Sequence, residues 1–395
     1  MISDRQIFNR HLGLPSANPA GLEINRAKGI YLYDKNGKEY IDLVSGVSVS
    51  NTGHLHPAVV QAVQHQTEQY MHLMVYGEYI QTPQVRLASR LVKILPSNLD
   101  TVYFVNSGSE AIEGALKLAK RFTGKTEIIS FKKAYHGGTH GALSIVGDER
   151  LKRAFRPLLP DIRQLEFNHF EGLKEITNKT ACVVAETVQA EAGIILPAEG
   201  FLKALKNRCN ETGTLLIIDD IQMGLGRSGE MFSFSKFGII PDILALAKGF
   251  GGGMPLGAFI SSKNLMNTLT FDPELGHITT FGGHPVSCAA SLASLEVILE
   301  NNLHHAAEQK GQLFYDALIN HPKIKAIRRC GLMLGLDLHK DINLESFMPA
   351  FFNSGLITDF FLFRGHAFRI APPLTISEDE INIAIERIRI ALDQL

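Results

Sequence analysis

The sequence has few cysteines and almost no net charge, and each scarcity argues against a class of protein. Its four cysteines stand far apart without a Cys-x-x-Cys pair, so neither a zinc ribbon nor a disulfide framework is indicated. We expect reduced, buried thiols. The 39 basic and 40 acidic residues leave a net charge of −1. A near-neutral chain predicts no nucleic-acid partner and favours small substrates or protein partners.

Long apolar runs are missing as well. Residues 1–5 contain no apolar segment of a secretory signal, and no run approaches the roughly 18 apolar residues of a membrane span. We therefore expect a cytoplasmic protein without a membrane partner. Hydrophobic residues make up 45% of the chain and charged residues 20%, which argues against disorder. A length of 395 residues suggests two or three domains.

Short apolar runs alternate with helical patterns through the middle of the chain. The runs are continuous, as in strands covered on both faces, and helix-spaced apolar residues follow from about Ser109. This alternation predicts an α/β fold with a mostly parallel sheet. The predicted strands cover residues 101–105, 127–131, 182–185, 215–218 and 243–247.

The two ends of the chain have a different pattern. Asn36-Gly37 between short alternating runs predicts a hairpin. Helices are expected over 289–301 and 304–320, and a last helix after Ser377, where Ser-Glu-Asp-Glu forms a capping box. We expect residues 1–50 to join a small α+β domain of residues 290–395, with residues 51–289 forming a large domain.

Polar or ionisable groups follow nearly every predicted strand. In open parallel sheets, ligands bind beyond the carboxyl ends of the strands. A sequence shaped by packing alone does not need such a group after each strand, so the set predicts a site there. The groups are Asn106-Ser107-Gly108-Ser109, Lys132 to Gly138, Glu186, Asp219-Asp220 and Lys248.

Two of these groups suit a phosphate and an amine nucleophile. Gly108 permits close backbone approach at a helix start, whose free N–H groups bind phosphate, although Ser107 and Ser109 also fit a plain N-cap. Lys248 at a buried strand end loses solvation, which lowers the pKa of its amine; a solvated surface lysine is the alternative. The glycines after Lys248 lack the spacing of a dinucleotide loop, and Pro255 interrupts the helix that such a loop requires.

Asp219 follows an apolar run, and a carboxylate buried there needs a cationic partner. A protonated pyridine nitrogen is such a partner. Lys248 for an imine, Asp219 for the pyridinium and a helix start for the phosphate together indicate pyridoxal 5'-phosphate. The ring of Tyr135 is placed to stack on a cofactor, and simple packing is the alternative for it.

These residues carry a resemblance to a known family. The chain from about Lys28 onward resembles the class III pyridoxal-phosphate aminotransferases, in their acetylornithine, ornithine and 4-aminobutyrate branch. The motifs occur in the order of that family. They are Asn106-Ser107-Gly108-Ser109-Glu110-Ala111, Tyr135-His136-Gly137, the segment 186–193, Asp219-Asp220-Ile221-Gln222, Lys248-Gly249, Thr280-Phe281-Gly282-Gly283 and the segment 369–374.

The resemblance implies a fold and a cofactor site. The fold is type I, with a mostly parallel seven-stranded sheet and a smaller α+β domain. Lys248 forms the imine and moves the substrate proton, and Asp219 keeps the ring nitrogen protonated. In that family, the residue at the position of Thr280 reaches the phosphate of the neighbouring subunit, so the resemblance implies a homodimer with shared active sites. The implied cofactor-binding set is Ser107, Gly108, Ser109, Tyr135, His136, Glu186, Asp219, Gln222, Lys248 and Thr280.

The chain departs from the branch where a substrate is recognised. Gly138 stands where the family has an arginine that clamps a substrate carboxylate, and glycine supplies no guanidinium. Val47 stands where the ornithine branch has a tyrosine. The identity of the amine donor therefore stays open. Arg364 and Arg156 are candidate replacements by residue type alone, and solvated surface arginines are the other interpretation.

Two residues that match the family pattern affect the choice of substrate. The resemblance implies that Arg369 binds the α-carboxylate of glutamate or 2-oxoglutarate, and that Glu191 pairs with Arg369 when the donor has no such carboxylate. A structural salt bridge is the alternative. We expect ping-pong transamination, via pyridoxamine phosphate, between a distal amine, acetylornithine- or ornithine-like, and 2-oxoglutarate.

Other functions remain open at this stage. A decarboxylase or aminomutase of the same class and a non-catalytic cofactor-binding protein are the alternatives. His54 and His56 stand close together, but no further metal-ligand pattern accompanies them, so we expect no metal site.

Overall fold

The computed structural model describes residues 2–395 and arranges their strands in three sheets. The strands are β1 (Ile24–Lys28), β2 (Tyr31–Asp34), β3 (Glu39–Asp42), β4 (Thr101–Val105), β5 (Glu127–Phe131), β6 (Ile162–Leu165), β7 (Thr180–Ala185), β8 (Leu215–Asp219), β9 (Ile243–Leu246), β10 (Gly257–Ser261), β11 (Ile324–Arg329), β12 (Leu334–Leu338), β13 (Leu356–Ile357), β14 (Phe360–Phe361) and β15 (Arg364–Ile370).

Helices surround these sheets, with short 3₁₀ turns at 153–155, 170–175 and 248–251. The helices are α1 (Asp4–His11), α2 (Ser45–Ser48), α3 (Pro57–Gln69), α4 (Thr82–Val92), α5 (Gly108–Thr123), α6 (His140–Ser144), α7 (Glu149–Lys152), α8 (Phe201–Thr212), α9 (Ser233–Lys236), α10 (Lys263–Asn267), α11 (Pro285–Glu300), α12 (Leu303–Leu318), α13 (Leu344–Asn353) and α14 (Glu378–Asp393). None of the helices within residues 2–395 is long and apolar enough to cross a membrane.

The largest sheet has seven strands in the order β4-β10-β9-β8-β7-β5-β6. Only β10 runs antiparallel to its neighbours, β4 and β9, while the other pairs are parallel. The expected mostly parallel seven-stranded sheet is confirmed. The sequence patterns do not predict β10, because its short run follows a glycine-rich segment that favours a loop.

Both faces of this sheet are covered, which explains the continuous apolar runs. In β8, Leu216 and Ile218 pack into one hydrophobic core and Ile217 packs into another, and all three are fully buried. Successive side chains of a strand point to opposite faces. Apolar residues of α5 cover one face and those of α8 the other.

The smaller sheets combine the two ends of the chain. Strands β1, β2 and β3 form a meander that β13 extends in parallel. The predicted hairpin lies between β2 and β3, where Gly37 adopts a φ of +84°. The third sheet has the order β11-β12-β15-β14. The capping box of Ser377 and Glu380 begins α14 as predicted.

The four cysteines are buried and unpaired, as expected from their scattered positions. None of them forms a disulfide. Burial raises the pKa of the Cys209 thiol to about 12 and that of Cys330 to about 11. Because the thiolate is the reactive form, these side chains serve packing. The cysteines are Cys182, Cys209, Cys288 and Cys330.

Candidate active site

A cavity of about 350 Å³ opens at the carboxyl ends of β4, β5, β7, β8 and β9. Parallel strands end at the same edge of a sheet, so the polar groups that follow them meet there. The cavity lies where the sequence predicts a site, at these strand ends. Its lining includes Asn106, Ser107, Gly108, Ser109, Tyr135, His136, Glu186, Asp219, Gln222, Met223 and Lys248.

The start of α5 forms one end of the cavity. The hydroxyl of Ser107 accepts a hydrogen bond from the backbone N–H of Glu110 at 3.2 Å, which is the plain cap considered above. The N–H groups of Gly108 and Ser109 have no acceptor within the helix, because the first turn of any helix leaves its amides unpaired. A side chain at Gly108 would lie 3.0 Å from Ile221. This end therefore suits an anion.

Asp219 lies at the end of β8 and is held by two hydrogen bonds. Its Oδ2 lies 2.7 Å from Nδ1 of His136, and its Oδ1 accepts from the backbone N–H of Ile221 at 3.1 Å. Both side chains are nearly inaccessible to solvent. The two contacts fix the orientation of the carboxylate, while Nε2 of His136 is buried without a partner.

Lys248 follows β9 and begins the 3₁₀ turn with a φ of +50°, a conformation that is strained for a side chain with a Cβ. Burial lowers the pKa of its amine, and the carboxylates of Glu191 and Asp219 offset part of this effect. A lowered pKa increases the neutral fraction of an amine, which is the nucleophilic form. The lysine is thus placed and tuned for attack on a carbonyl.

Glu186 at the end of β7 is a second buried carboxyl group. Its Oε1 accepts from the backbone N–H of Ala190 at 3.1 Å, and its Oε2 has no partner. Burial, followed by the nearby charge of Asp219, raises the pKa of Glu186 well above its ordinary value. A protonated Glu186 can donate a hydrogen bond into the cavity.

Arg369 is almost fully buried and has two carboxylate partners. Its Nη2 donates to Glu191 at 2.9 and 3.2 Å, and its Nε donates to Asp359 at 2.9 Å. Its Nη1 is buried without a partner. Gln222 donates from its amide to Glu191 at 3.2 Å. The structure therefore brings Arg369, Glu191 and Gln222 together, and it adds Asp359, which the sequence patterns do not indicate.

The two arginines considered for substrate recognition, and Thr280 of the implied cofactor-binding set, do not line the cavity. Arg156 pairs with Glu149 at the surface at 2.7 Å, and Arg364 pairs with Asp337 at 2.6 Å. Thr280 is exposed and does not line the cavity of its own subunit. The surface interpretation thus fits Arg156, whereas Arg364 belongs to an ion-pair cluster.

The positions of Gly138 and Val47 are now defined. Gly138 is exposed, and a Cβ at this position would meet no atom within 4 Å, so packing does not require a glycine. Val47 lies in a turn of four residues with positive φ angles, α2, and it is Val49 rather than Val47 that lines the cavity. Val49 and Met254 carry no motif that marks them as lining residues.

The paired histidines have structural contacts. His54 Nε2 lies 2.8 Å from Oδ2 of Asp42, and the ring of His56 caps α3 by accepting from Ala58. Within residues 2–395, no group of three or more potential ligands is placed to hold a metal.

The residues of the cavity fit pyridoxal phosphate. An amine of lowered pKa, a fixed buried carboxylate and a helix start lie around one cavity, and two of its lining residues, His136 and Glu186, have buried polar atoms without a protein partner. When bound, this cofactor supplies a carbonyl carbon that condenses with amines and a ring that withdraws electrons.

Comparisons with known proteins agree with this geometry. The model of the aminotransferase class-III family matches residues 15–392. An acetylornithine aminotransferase of Methanopyrus kandleri is 40% identical over 367 residues, which cover 92% of each chain. The acetylornithine aminotransferase of Bacillus subtilis is 37% identical and covers 94% of this chain and 95% of its own.

Solved structures give the same result. The ornithine aminotransferase of Toxoplasma gondii has a TM-score of 0.91 at 28% identity and covers 98% of this chain and 93% of its own. An omega transaminase of Pseudomonas jessenii, solved in complex with PMP, has a TM-score of 0.90 at 26% identity, over 99% of this chain and 98% of its own.

The fold and the cavity define a pyridoxal-phosphate-dependent transferase of fold type I. Within that class, the chain belongs to the class III aminotransferase family. It is a pyridoxal-phosphate-dependent aminotransferase, and the chemistry that it performs is transamination. The interpretation as a non-catalytic cofactor-binding protein is thereby wrong.

Proposed function

We propose that the protein transfers the amino group of a distal primary amine, acetylornithine- or ornithine-like, to 2-oxoglutarate in two half-reactions. The observation that carries this proposal is the buried contact between Arg369 and Glu191. An enzyme that accepts substrates with and without an α-carboxylate needs a cation that can bind the carboxylate of the first substrate. The same cation must be neutralised when the second substrate is bound. This pair supplies both states.

The residues around the cavity have separate roles in this proposal. Lys248 would hold the cofactor through its amine and would carry the proton that leaves and rejoins the substrate. Asp219, oriented by His136, holds the proton on the ring nitrogen. Tyr135 would stack on the ring, and Gln222 would supply a hydrogen-bond donor beside it.

The phosphate has its own set of contacts. The first amides of α5, at Gly108 and Ser109, would donate to the phosphate, and the positive end of the helix would favour its negative charge. Glu186 completes the cofactor-binding set from β7.

Glu191 and Arg369 form what we call the gate pair. With glutamate or 2-oxoglutarate, the α-carboxylate replaces Glu191 on the guanidinium, which offers Nη1 and Nη2 for a bidentate contact. With a distal amine, Glu191 stays and neutralises Arg369. Losing the Glu191 contact without a replacement would be costly at the near-complete burial of Arg369, even though Asp359 stays on its Nε.

The donor class rests on two kinds of support. The similar proteins named above are called acetylornithine and ornithine aminotransferases and an omega transaminase. In addition, no arginine and no lysine other than Lys248 stand among the described residues that line the cavity, so a donor is recognised there mainly through apolar contact. Val49, Met223, Met254 and Pro255 supply that contact.

The visible absorbance of the cofactor-loaded protein tests the proposal. We expect glutamate to shift the band and 2-oxoglutarate to restore it. A panel of 4-aminobutyrate, ornithine, acetylornithine, succinylornithine, lysine and simple diamines then identifies the donor. The Arg369→Lys variant, which keeps the charge but loses the planar fork, should lose the response to glutamate and retain the response to the donor.

Other results would reject the proposal in defined ways. A band that glutamate leaves unchanged removes 2-oxoglutarate as the acceptor. Release of carbon dioxide indicates a decarboxylase, and internal transfer without 2-oxoglutarate indicates an aminomutase.

We also propose that the active unit is a homodimer with shared active sites. Exposed apolar side chains lie in residues 71–80 and 278–281, and Ile80 is 95% exposed. The two segments are joined, because the N–H of Tyr76 donates to the carbonyl of Thr279 and the rings of His72 and Phe281 lie 5.0 Å apart. Such a patch, next to Thr280, is typical of an interface.

Light scattering tests the assembly. The wild type should have the mass of two chains, and Ile80→Glu should shift it to one chain and weaken cofactor binding. A monomeric wild type that binds the cofactor tightly would contradict the shared site.

A further inference from the structure

We propose that Asp337, Arg328 and Arg364 form a clasp that fixes the backbone of the loop carrying Glu191, so that only the Glu191 side chain moves when the two substrates alternate. These three residues are therefore positioning residues for substrate choice. The inference rests on the proposed function, in which Glu191 leaves and rejoins Arg369.

Asp337 on β12 is the centre of the clasp. Arg328 donates to it from Nη1 and Nη2 at 2.6 and 2.8 Å, and Arg364 donates from Nε and Nη2 at 2.6 and 2.7 Å. Four charge-assisted hydrogen bonds to one carboxylate hold both guanidinium groups in fixed planes. The side chains of Asp337 and Arg328 are 11% and 19% exposed, so solvent screens their contact little, whereas Arg364 is 40% exposed.

Arg328 connects this cluster to the loop. The third nitrogen of its guanidinium, Nε, donates to the carbonyl oxygen of Gly193 at 2.5 Å. Gly193 has a φ of +95°, and a Cβ there would collide with Cδ of Arg364, so the arginine stem lies directly on the loop backbone. A Cβ at Gly335 would lie 2.9 Å from the same carbonyl oxygen. The close approach therefore requires glycine on both sides.

Arg364 holds the other side of the gate. It begins β15, directly after the turn that donates two backbone hydrogen bonds to Glu191. The N–H of Leu362 reaches Oε2 of Glu191 at 3.2 Å, and the N–H of Phe363 reaches its carbonyl oxygen at 3.1 Å. The clasp thus holds both the loop and the turn that contacts the gate carboxylate.

The loop is also closed upon itself. Gly193 and Ile194 both donate to the carbonyl of Ala190, and Gln189 and Ile195 exchange two backbone hydrogen bonds at 3.0 Å. The main chain of the loop is fixed at both ends and by the clasp. The remaining freedom of movement therefore lies in the χ angles of the Glu191 side chain. The exchange of carboxylates on Arg369 then needs no backbone rearrangement.

Loosening the clasp should shift the balance between the half-reactions. Because Glu191 would no longer be held over Arg369, an α-carboxylate would displace it more easily, whereas distal amines would meet an incompletely neutralised cation. We expect Arg328→Gln to raise the ratio of kcat/KM for glutamate to kcat/KM for the best distal amine about tenfold.

The adjacent residue provides a matched control. Arg329 is on the same strand, has the same exposure (18% against 19%) and forms a comparable ion pair with Glu308 at 2.6 Å, but it faces α12. Arg329→Gln therefore removes an equal charge without touching the loop, and its ratio should stay within about twofold of the wild type.

A conservative variant separates geometry from charge. Arg328→Lys keeps the charge but cannot bond to Asp337 twice and to Gly193 at once, so it should behave like Arg328→Gln. If Arg328→Gln fails to fold, Arg328→Lys serves as the test. Hydrogen exchange of the peptide covering residues 187–196 gives a readout besides activity, and it should be faster in both variants than in Arg329→Gln.

The possible outcomes distinguish a failure of the clasp from a failure of the proposed function. A wild type that does not react with glutamate rejects the proposed acceptor, while the exchange experiment still tests the clasp. If the wild type reacts with both substrates but Arg328→Gln changes both half-reactions equally, or matches Arg329→Gln, the clasp is rejected and the proposed function stands. Unchanged exchange over residues 187–196 likewise rejects it.

Discussion

The cofactor cavity and the gate pair are built in different ways. Each main group of the cavity lies within two residues of a strand end: Ser107 after β4, Asp219 as the end of β8 and Lys248 after β9. The gate pair joins residues 178 positions apart in the sequence. The cavity is therefore fixed by secondary structure, whereas the gate depends on how the small sheet packs against the large one.

The two regions also differ in whether their charged side chains can exchange partners. The carboxylate of Asp219 has fixed partners in His136 and the backbone of Ile221. Arg369 instead contacts two carboxylates at once, Asp359 through Nε and Glu191 through Nη2, and its Nη1 has no partner. A side chain with several matched partners can exchange one for another at little cost, which is what a site for two substrates needs.

The largest expected effect falls in the cavity. Lys248→Ala removes both the nucleophile and the proton carrier, so we expect turnover to fall by at least about 10³-fold. The steady-state rate with the best distal amine and 2-oxoglutarate measures the loss, and circular dichroism checks the fold. Turnover above a few per cent of wild type would contradict the role of Lys248.

The second effect tests whether the cavity depends on the charge of Asp219. Asp219→Asn keeps the shape but cannot hold the proton on the ring nitrogen, so kcat should fall about 10²–10³-fold. The adjacent Asp220 is the control. It bonds to Ser233 rather than facing the cavity, and burial raises its pKa to about 7. Asp220→Asn should lose less than about tenfold; equal losses would contradict a specific role for Asp219.

The same contrast explains which features the sequence predicts. Continuous runs such as 215–218 predict buried parallel strands, and in a parallel sheet the group after each strand reaches one edge. Glu186, Asp219 and Lys248 are therefore found from the chain alone. The motifs also indicate Arg369 and Glu191, and the structure brings them into contact.

Features that arise from packing between distant elements are not predictable in this way. Asp359 lies in an apolar segment without a motif, and its contact with Arg369 exists only because β15 folds back beside it. The cluster of Asp337, Arg328 and Arg364 combines three strands of one sheet. Periodicity indicates which face a residue occupies, but it does not indicate which residues of other strands stand beside it.

The third prediction concerns the gate itself. Glu191→Gln weakens the contact with Arg369 by removing its charge, so an α-carboxylate displaces it more easily. We expect KM for glutamate to fall about tenfold and kcat/KM for the distal amine to fall by a similar factor. Pre-steady-state absorbance measures each half-reaction separately. If both half-reactions slow together, Glu191 is a structural salt-bridge partner and not a gate.

The smallest expected effect concerns stability. Burial alone would raise the pKa of Asp337, but its hydrogen bonds to Arg364 and Arg328 lower it from 3.8 to about 2. The carboxylate therefore contributes stability above the unfolded pKa, and that contribution is lost as the pH falls from about 4 towards 2.

Urea denaturation of Asp337→Asn tests this contribution. The variant should be less stable than the wild type by about 1 kcal/mol at neutral pH, because Asn keeps the acceptor oxygen but loses the charge. The difference should shrink as the pH falls from 4 to 2, since the wild-type carboxyl is then neutral as well. A difference independent of pH would mean that shape, rather than charge, holds the two arginines together. The clasp would then stay closed in acid, and substrate choice would not depend on the ionisation of Asp337.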